Sequence, residues 1–542
     1  MKRALIILAL VAVVALPFIL RPQKAEKAGG GDTVVIVTPH NEAIRYEFGE
    51  AFERWYQQKT GRNVHIDWRV LGGTSEIARF LESEYITAFQ NHWVNELHKP
   101  WSTEVQAGSQ NGRLGADAAA IAREARAAFL ASNVSCGIDL FFGGGTYDFA
   151  KQATAGRFLR STVFDRHPEW FGDSVIPLRY AGEEYRDKDG LWIGCVVSSY
   201  GIIYNRDALA RLGIAQPPMG WADITDARYF GEVALCDPTK SGSIAKAFEN
   251  VIQQRMQNRL KELAAASPGA PPKELEAQAV REGWLQGLQV LQLAGANSRY
   301  FTDTSQKPPI DVSTGNCAVG MCIDFYGRGQ AEAAQRRGGS DRLGYVSPPG
   351  GTVSSVDPIG VLRGAPHRDV AEAFVEFVLS EEGQRLWNQK PGTPGGPAQY
   401  ALRRLPVRRD YYTHGEWTAF RSDPEADPFN QKDPLIYRSE WTAGIFREMA
   451  FIIRVMCQDT HDELRDAWKA INAADVIPEN RARATAVLQD LSVVNYDRAG
   501  KEIKQALGSK NKVDELRMAN DLADQLRKRY HHAIQVARGA AE

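Results

Sequence analysis

The order of apolar patterns after residue 31 constrains this chain more than any other feature. Val34-Val35-Ile36-Val37 is a short, continuous apolar run, the form taken by a strand covered on both faces. Thr38-Pro39-His40-Asn41 breaks it. Ile44, Phe48, Phe52 and Trp55 then recur at helical spacing until Gly61, and Val64, Ile66, Trp68 and Val70 alternate as a strand. This is a βαβ unit of ordinary length. Further strand candidates follow at Ile138 to Phe142, Leu191 to Val197, Gly201 to Tyr204, Val233 to Leu235 and Cys317 to Phe325. Val370, Phe374, Phe377 and Val378 mark a helix. Repeated alternation predicts an α/β fold with parallel sheets. With 542 residues, 44% of them hydrophobic, one core is not enough, and two or more domains are expected.

Three stretches stand outside that alternation. Residues 84–130 read as a mostly helical insertion, and residues 250–280 as a charged helix pair broken at Pro268-Gly269 and Pro271-Pro272. From about residue 436 the chain reads as amphipathic helices. Two readings are open for all three: solvated helices that extend a lobe, or elements that cover a cleft or meet a partner. The 65 basic and 66 acidic residues balance, so no global field favours nucleic acid or an anionic membrane, and any preference for a charged ligand must be local.

The N-terminus carries an address. Met1-Lys2-Arg3 precedes the uncharged run Ala4 to Leu20, and Arg21 and a glycine-rich polar stretch follow. This is an export signal or an uncleaved membrane anchor; no small-x-small cleavage site and no lipid-bearing cysteine is evident. In either version everything after Gly31 faces outward, in the periplasm or at the outer face of the cytoplasmic membrane. The six cysteines form no CxxC pair or zinc-ligand spacing. They are read as buried free thiols, with disulfides as the alternative in an exported chain.

Several strands end in loops of small and hydroxylated residues with a helix behind them: Thr38-Pro39-His40, Gly72-Gly73-Thr74-Ser75, Gly143-Gly144-Gly145-Thr146, and Asp237 to Ser243. In open α/β sheets ligands sit beyond the carboxyl ends of strands, where helix N-termini offer free N–H groups and partial positive charge. Any α/β protein has such loops, so it is the four together that point to a site. Asp237 to Ser243 lacks the glycine and lysine order of a nucleotide P-loop, and no GxSxG elbow or HExxH pair occurs. No catalytic residue, metal set or cofactor is indicated.

More specific motifs lie further on. Gly220-Trp221-Ala222-Asp223-Ile224-Thr225-Asp226, Tyr229-Phe230-Gly231 and Val233 to Ser243 form one block. Ser199 to Asn205 precedes it. Gly315 to Gly327 and the helix Ala371 to Trp387, with Leu379-Ser380-Glu381-Glu382-Gly383-Gln384, follow it. In colinear order over roughly residues 32–410, these resemble the iron-type family of ABC-transporter solute-binding proteins, whose ligands include ferric ion, sugar phosphates, phosphonates and thiamine. The resemblance implies a two-lobed, type II periplasmic-binding-protein clamshell with helical insertions and a C-terminal helical extension. Lobe 1 is expected at 32–146 and 344–392, lobe 2 at 147–343 and 393–435, and the extension at 436–542. It also implies a receptor without enzymatic activity, monomeric, that delivers a small ligand to an ABC permease and has no nucleic-acid partner.

Ligand-binding residues are expected between the lobes. Lobe 1 offers Thr38, His40, Gly73, Thr74 and Ser75, with Gly145 and Thr146 near the crossover. Lobe 2 offers Ser198, Ser199, Thr239, Ser241, Asp324 and Tyr326, and the return segment adds Ser354, Ser355 and Asp357. Lys240 adds charge. The run Arg403-Arg404-Leu405-Pro406-Val407-Arg408-Arg409 is read as a solvated face, with an anion site as the alternative. Ferric-binding members are expected to carry two adjacent tyrosines where this chain has Phe325-Tyr326, and a phenyl ring is no ligand for a hard trivalent cation. The expected ligand is therefore an anionic organic molecule, phosphorylated or carboxylated. The rivals are ferric ion or an iron chelate (with Tyr326 as metal ligand), a membrane-anchored sensing or scaffold ectodomain, and an exported hydrolase.

Overall fold

The computed structural model describes residues 31–115, 117–431, 433–509 and 511–540; the expected leader or anchor lies outside them except for Gly31. The chain begins with β1 (Asp32–Val37), α1 (Glu42–Thr60), β2 (Val64–Arg69) and α2 (Thr74–Asn91), and β3 (Leu140–Phe142) and α3 (Thr146–Ala155) come after short helices in the 84–130 insertion. β4 (Ile193–Ser198) ends one residue before β5 (Tyr200–Asn205) begins. Then come β6 (Val233–Cys236), the long helices α4 (Gly242–Ala266) and α5 (Pro272–Ala296), β7 (Ser298–Thr302), β8 (Val319–Ile323), α6 (Asp324–Gly338) and β9 (Leu343–Val346). β10 (Ser355–Leu362), α7 (Arg368–Leu379), α8 (Glu381–Asn388) and β11 (Leu405–Pro406) follow, and the C-terminal helices include α9 (Phe446–Cys457) and α10 (Lys512–Ala537).

Two sheets organise these elements. The first has the order β11-β4-β10-β3-β1-β2, with Phe158–Leu159 also pairing β10; the second has the order β7-β6-β8-β5-β9. β1 and β2 are parallel, with Val34 opposite Ile66 and Ile36 opposite Trp68. In each sheet the strand arriving from the other lobe runs antiparallel: β10 against β3, and β5 against β8. The chain crosses at Ser199, again between β9 and β10, and a third time between Phe429, which packs on the first core, and Leu435, which is part of the second. This is the two-lobed α/β clamshell of type II.

The lobe boundaries differ from those expected. Residues 158–198 and 402–407 belong to lobe 1, because β4 and β11 pair in its sheet and Trp192, Leu402, Leu405 and Val407 lie in its core. β4 and β5 are both wholly buried runs of six residues, so neither has a periodicity that tells which sheet it joins. Asp324 and Tyr326 also stand differently: they open α6 and do not end a strand.

The C-terminal helices are integral to lobe 2. Trp284 of α5, Met456 of α9 and Tyr530 of α10 share one continuous core. Trp284 Nε1 donates to the Val494 carbonyl at 2.8 Å, and the Tyr530 hydroxyl donates to the Met456 carbonyl at 3.1 Å. The 250–280 stretch is the α4–α5 hairpin on which they pack. Among the described residues no helix is long and apolar enough to cross a membrane, and all six cysteines are unpaired.

Candidate functional site

A cleft of about 500 Å3 separates the lobes. Five helices begin in its wall or beside it: α1 behind Asn41, α2 behind Gly73, α3 behind Gly145, α4 behind Ser241, and α6 at Asp324. Asn41 Oδ1 accepts from the Ile44 amide at 3.1 Å and Ser241 Oγ from the Ile244 amide at 3.4 Å, so each cap satisfies one of the free donors and leaves others. Gly144 has φ +121°, and a Cβ there would meet Thr74 Cγ2 at 2.5 Å. Only glycine lets the β3–α3 loop approach the start of α2 so closely.

Arg404, 1% exposed, forms the floor. It donates through Nη1 to Asp357 Oδ2 at 2.8 Å and through Nη2 to Ser198 Oγ at 2.5 Å. Its guanidinium stands 4.5 Å from the centroid of the Phe325 ring, which comes from lobe 2. Burial pushes the Asp357 pKa up, but Arg404 and His40 outweigh it and hold the carboxyl at about 2. His40 Nε2 lies 3.5 Å from the same carboxylate, and burial pulls the His40 pKa down, leaving a neutral imidazole at neutral pH. Tyr326 is flanked by Asn41 and Gln306 from opposite lobes, and burial raises its hydroxyl to about 12.

The remaining charges are mostly spent within the protein. Lys240 Nζ pairs with Asp303 Oδ1 at 2.7 Å, and Glu76 Oε2 accepts from the Gly73 amide at 2.9 Å. Arg45, in the first turn of α1, differs. It has no ion-pair partner among the described residues, and its buried Nε has no hydrogen-bond partner.

Of the residues expected to bind ligand, His40, Gly73, Thr74, Ser241, Tyr326 and Asp357 line this cleft. Gly145, Thr146 and Ser355 line a side chamber of about 180 Å3 that shares Gly144, Ser243 and Asp357 with it. Ser75 and Thr239 stand farther out, where α2 and the β6–α4 loop face the C-terminal helices.

Five expected residues do not reach the cleft. Thr38 Oγ1 accepts from the His40 amide at 3.0 Å, and Ser198 holds Arg404. Ser199 lies at the first crossing, where its carbonyl accepts from the Asp324 amide at 3.0 Å. Asp324 is buried and paired with Arg328 at 2.9 Å, and Ser354 Oγ accepts from Gln431 Nε2 at 2.7 Å. Thr38, Ser198, Asp324 and Ser354 are each held through a side-chain oxygen, and Ser199 through its carbonyl, so they stand behind the cleft wall.

The arginine run is not a solvated face. Arg404 and Arg408 are buried, and Arg403 pairs with Glu332 of lobe 2 and with Asp423. The signal was in the interleaved Leu402, Leu405 and Val407, all buried; a solvated run has no reason to alternate with apolar residues. Asn41 and Arg45 share the first turn of α1, and only the packing of the lobes sets Gln306 opposite them across Tyr326, so the three carried no such signal.

A family model described as bacterial extracellular solute-binding protein matches residues 137–409. An uncharacterized protein of Haemophilus influenzae is 24% identical over 289 residues, covering 48% of this chain and 74% of its own. The phosphoglycerate transport regulatory protein PgtC of Salmonella typhimurium is 23% identical over 305 residues; the match covers 55% of this chain and 63% of PgtC. The periplasmic binding protein AfuA of Actinobacillus pleuropneumoniae, solved with exogenous fructose-6-phosphate bound, aligns with a TM-score of 0.47 and 17% identity over 81% of this chain and 98% of its own.

Proposed function

Because the chain belongs to the bacterial extracellular solute-binding protein family, we propose that its cleft captures a small anionic organic ligand, phosphorylated or carboxylated, for an ABC permease. The observation that carries this reading is Arg45: a cleft cation with no ion-pair partner among the described residues, in the first turn of one of the five helices that begin in or beside the cleft. Free N–H groups, hydroxyls and one guanidinium suit phosphate or carboxylate oxygens. The receptor works as a monomer in the periplasm or at the outer face of the cytoplasmic membrane. Contacts from both lobes select the closed form, since a ligand touching one lobe alone has no preference between open and closed.

Ferric ion suits this donor set poorly. Tyr326 is the one phenol of the Phe325-Tyr326 pair and resists ionisation, and the Asp357 carboxylate is already engaged by Arg404. The relative named for phosphoglycerate agrees with an anionic ligand.

A thermal-shift panel of sugar phosphates, phosphoglycerate, dicarboxylates, neutral polyols and ferric citrate tests the reading on the full chain. An anion at about 100 times its Kd stabilises the fold by about 2.7 kcal/mol, and Arg45→Ala removes the response. A shift confined to polyols or to ferric citrate sinks the proposal.

A further inference from the structure

The side chamber opens from the main cleft past Gly144, Ser243 and Asp357, and its lining differs in kind. Four aromatic rings face it: Tyr147, Tyr200, Tyr437 and Phe446. Tyr147 of lobe 1 packs on Phe446 of the C-terminal helices with ring centroids 4.7 Å apart. At the inner end Lys246 Nζ sits 2.6 Å from Glu183 Oε1, 2.9 Å from Glu249 Oε2, and 3.3 Å from the centroid of the Tyr437 ring. The protein therefore already holds one ammonium here, between carboxylates and over an aromatic face.

The charges do not balance around that one ammonium. Arg179 and Glu184, also in the wall, neutralise each other at 2.7 Å, whereas Glu183 and Glu249 are both buried against the single Lys246 and Asp148 adds a third carboxylate to the lining. Asp148 is 6% exposed and lines the chamber, yet has no hydrogen-bond or ion-pair partner among the described residues. It stands in the first turn of α3 and close to the start of α4, since a Cβ on Gly242 would lie 3.3 Å from Asp148 Oδ2. Two helix N-termini thus favour its charge. They leave most of its acceptor capacity unused, because a carboxylate offers about four lone-pair sites. Burial lifts the Asp148 pKa to about 6, with Lys151 and Arg79 opposing from outside, so it is mostly ionised at neutral pH.

Aromatic faces combined with an unpaired buried carboxylate are the surroundings that recognise organic cations. We propose that the side chamber receives an ammonium group, primary or quaternary, so that the ligand carries a cation at one end and its anion in the main cleft at the other. The anionic end rests on the function proposed above; the cationic end rests on the chamber alone. Tyr437 and Phe446 lie beyond residues 409 and thus outside the stretch matched by the family model. The segment after residue 435 therefore supplies half of the aromatic wall, Tyr437 from the connection into the C-terminal helices and Phe446 from α9, which gives it a role in specificity.

Calorimetric titration of the full chain with three probes separates the two ends: phosphoethanolamine, ethyl phosphate and ethanolamine. We expect phosphoethanolamine to bind at least about tenfold more tightly than ethyl phosphate, and Asp148→Asn to erase that gap while leaving ethyl phosphate unchanged. Equal affinity for the two phosphates overturns the chamber assignment and leaves the anionic reading intact. Ethanolamine binding as tightly as phosphoethanolamine, with ethyl phosphate silent, supports the ammonium pocket and removes the anionic head. Silence from all three overturns both.

Discussion

The two lobes share their strand wiring but are built to different plans. Lobe 1 closes its core with its own sheet and helices: Phe48, Phe142, Phe374 and Trp387 pack ring on ring between α1, β3, α7 and α8. Lobe 2 has the smaller sheet, and its core runs on through α4 and α5 into the C-terminal helices. A binding protein of this type therefore has room to grow on one lobe and not at the hinge. The crossings between lobes are short, and charge pairs such as Arg403 with Glu332 and Arg328 with Asp423 bind the lobes beside them. An addition at the hinge would disturb closure. An addition to the outer face of lobe 2 deepens its core and, through Phe446, also reaches the side of the cleft.

That contrast is open to direct attack. The largest effect is expected from Trp284→Ala, which removes a fully buried ring and its hydrogen bond to Val494, at a cost of about 3–5 kcal/mol. If lobe 2 and the C-terminal helices are one cooperative unit, hydrogen exchange speeds up in 233–325 and in 446–537 together while 32–142 stays protected. Faster exchange in only one of the two segments would split the unit.

The next concerns the cleft floor. The Asp357 carboxyl is held at about 2, below its unfolded value, so its stabilisation is complete above about pH 4 and is lost as pH falls through about 2; it amounts to roughly 2–3 kcal/mol. In acid titrations followed by circular dichroism, Asp357→Asn is less stable at neutral pH and lacks this part of the acid loss. An unchanged acid profile in the variant would show that the Arg404 pair does not anchor lobe 1 at the cleft.

The smallest is Phe446→Leu, which keeps most of the buried apolar volume and removes the ring pair with Tyr147, worth about 0.5–1.5 kcal/mol, from the side of the cleft. The expected result is a larger radius of gyration by small-angle scattering without loss of helix content. No change in dimension would mean that the C-terminal helices do not bear on closure.

Much of the fold is legible in the amino-acid sequence. Val34 to Val37, the stripe Ile44-Phe48-Phe52 and the alternation at Val64 placed β1, α1 and β2 closely, because covered strands and one-sided helices leave periodic marks. Gly73, Thr74 and Ser241 were legible for a related reason: caps and tight loops need small or hydroxylated residues. β7, β9, β10 and β11 do not stand out as strands in the sequence, and Thr38, Ser198, Ser199, Asp324 and Ser354 lie behind the cleft because partners distant in the chain or the backbone turn hold them there.

Propensity, capping and burial period act over a few residues, and they suffice for the α/β class, the helix starts around the cleft and the kind of chemistry those starts favour. Long-range packing settles which lobe β4 and β11 belong to, buries Arg404 against Asp357 while Arg45 has no ion-pair partner among the described residues, and gathers Asp148, Lys246 and Phe446 into one chamber. These facts depend on which groups meet once distant segments pack, and pairing between segments far apart in the chain leaves no local trace in it.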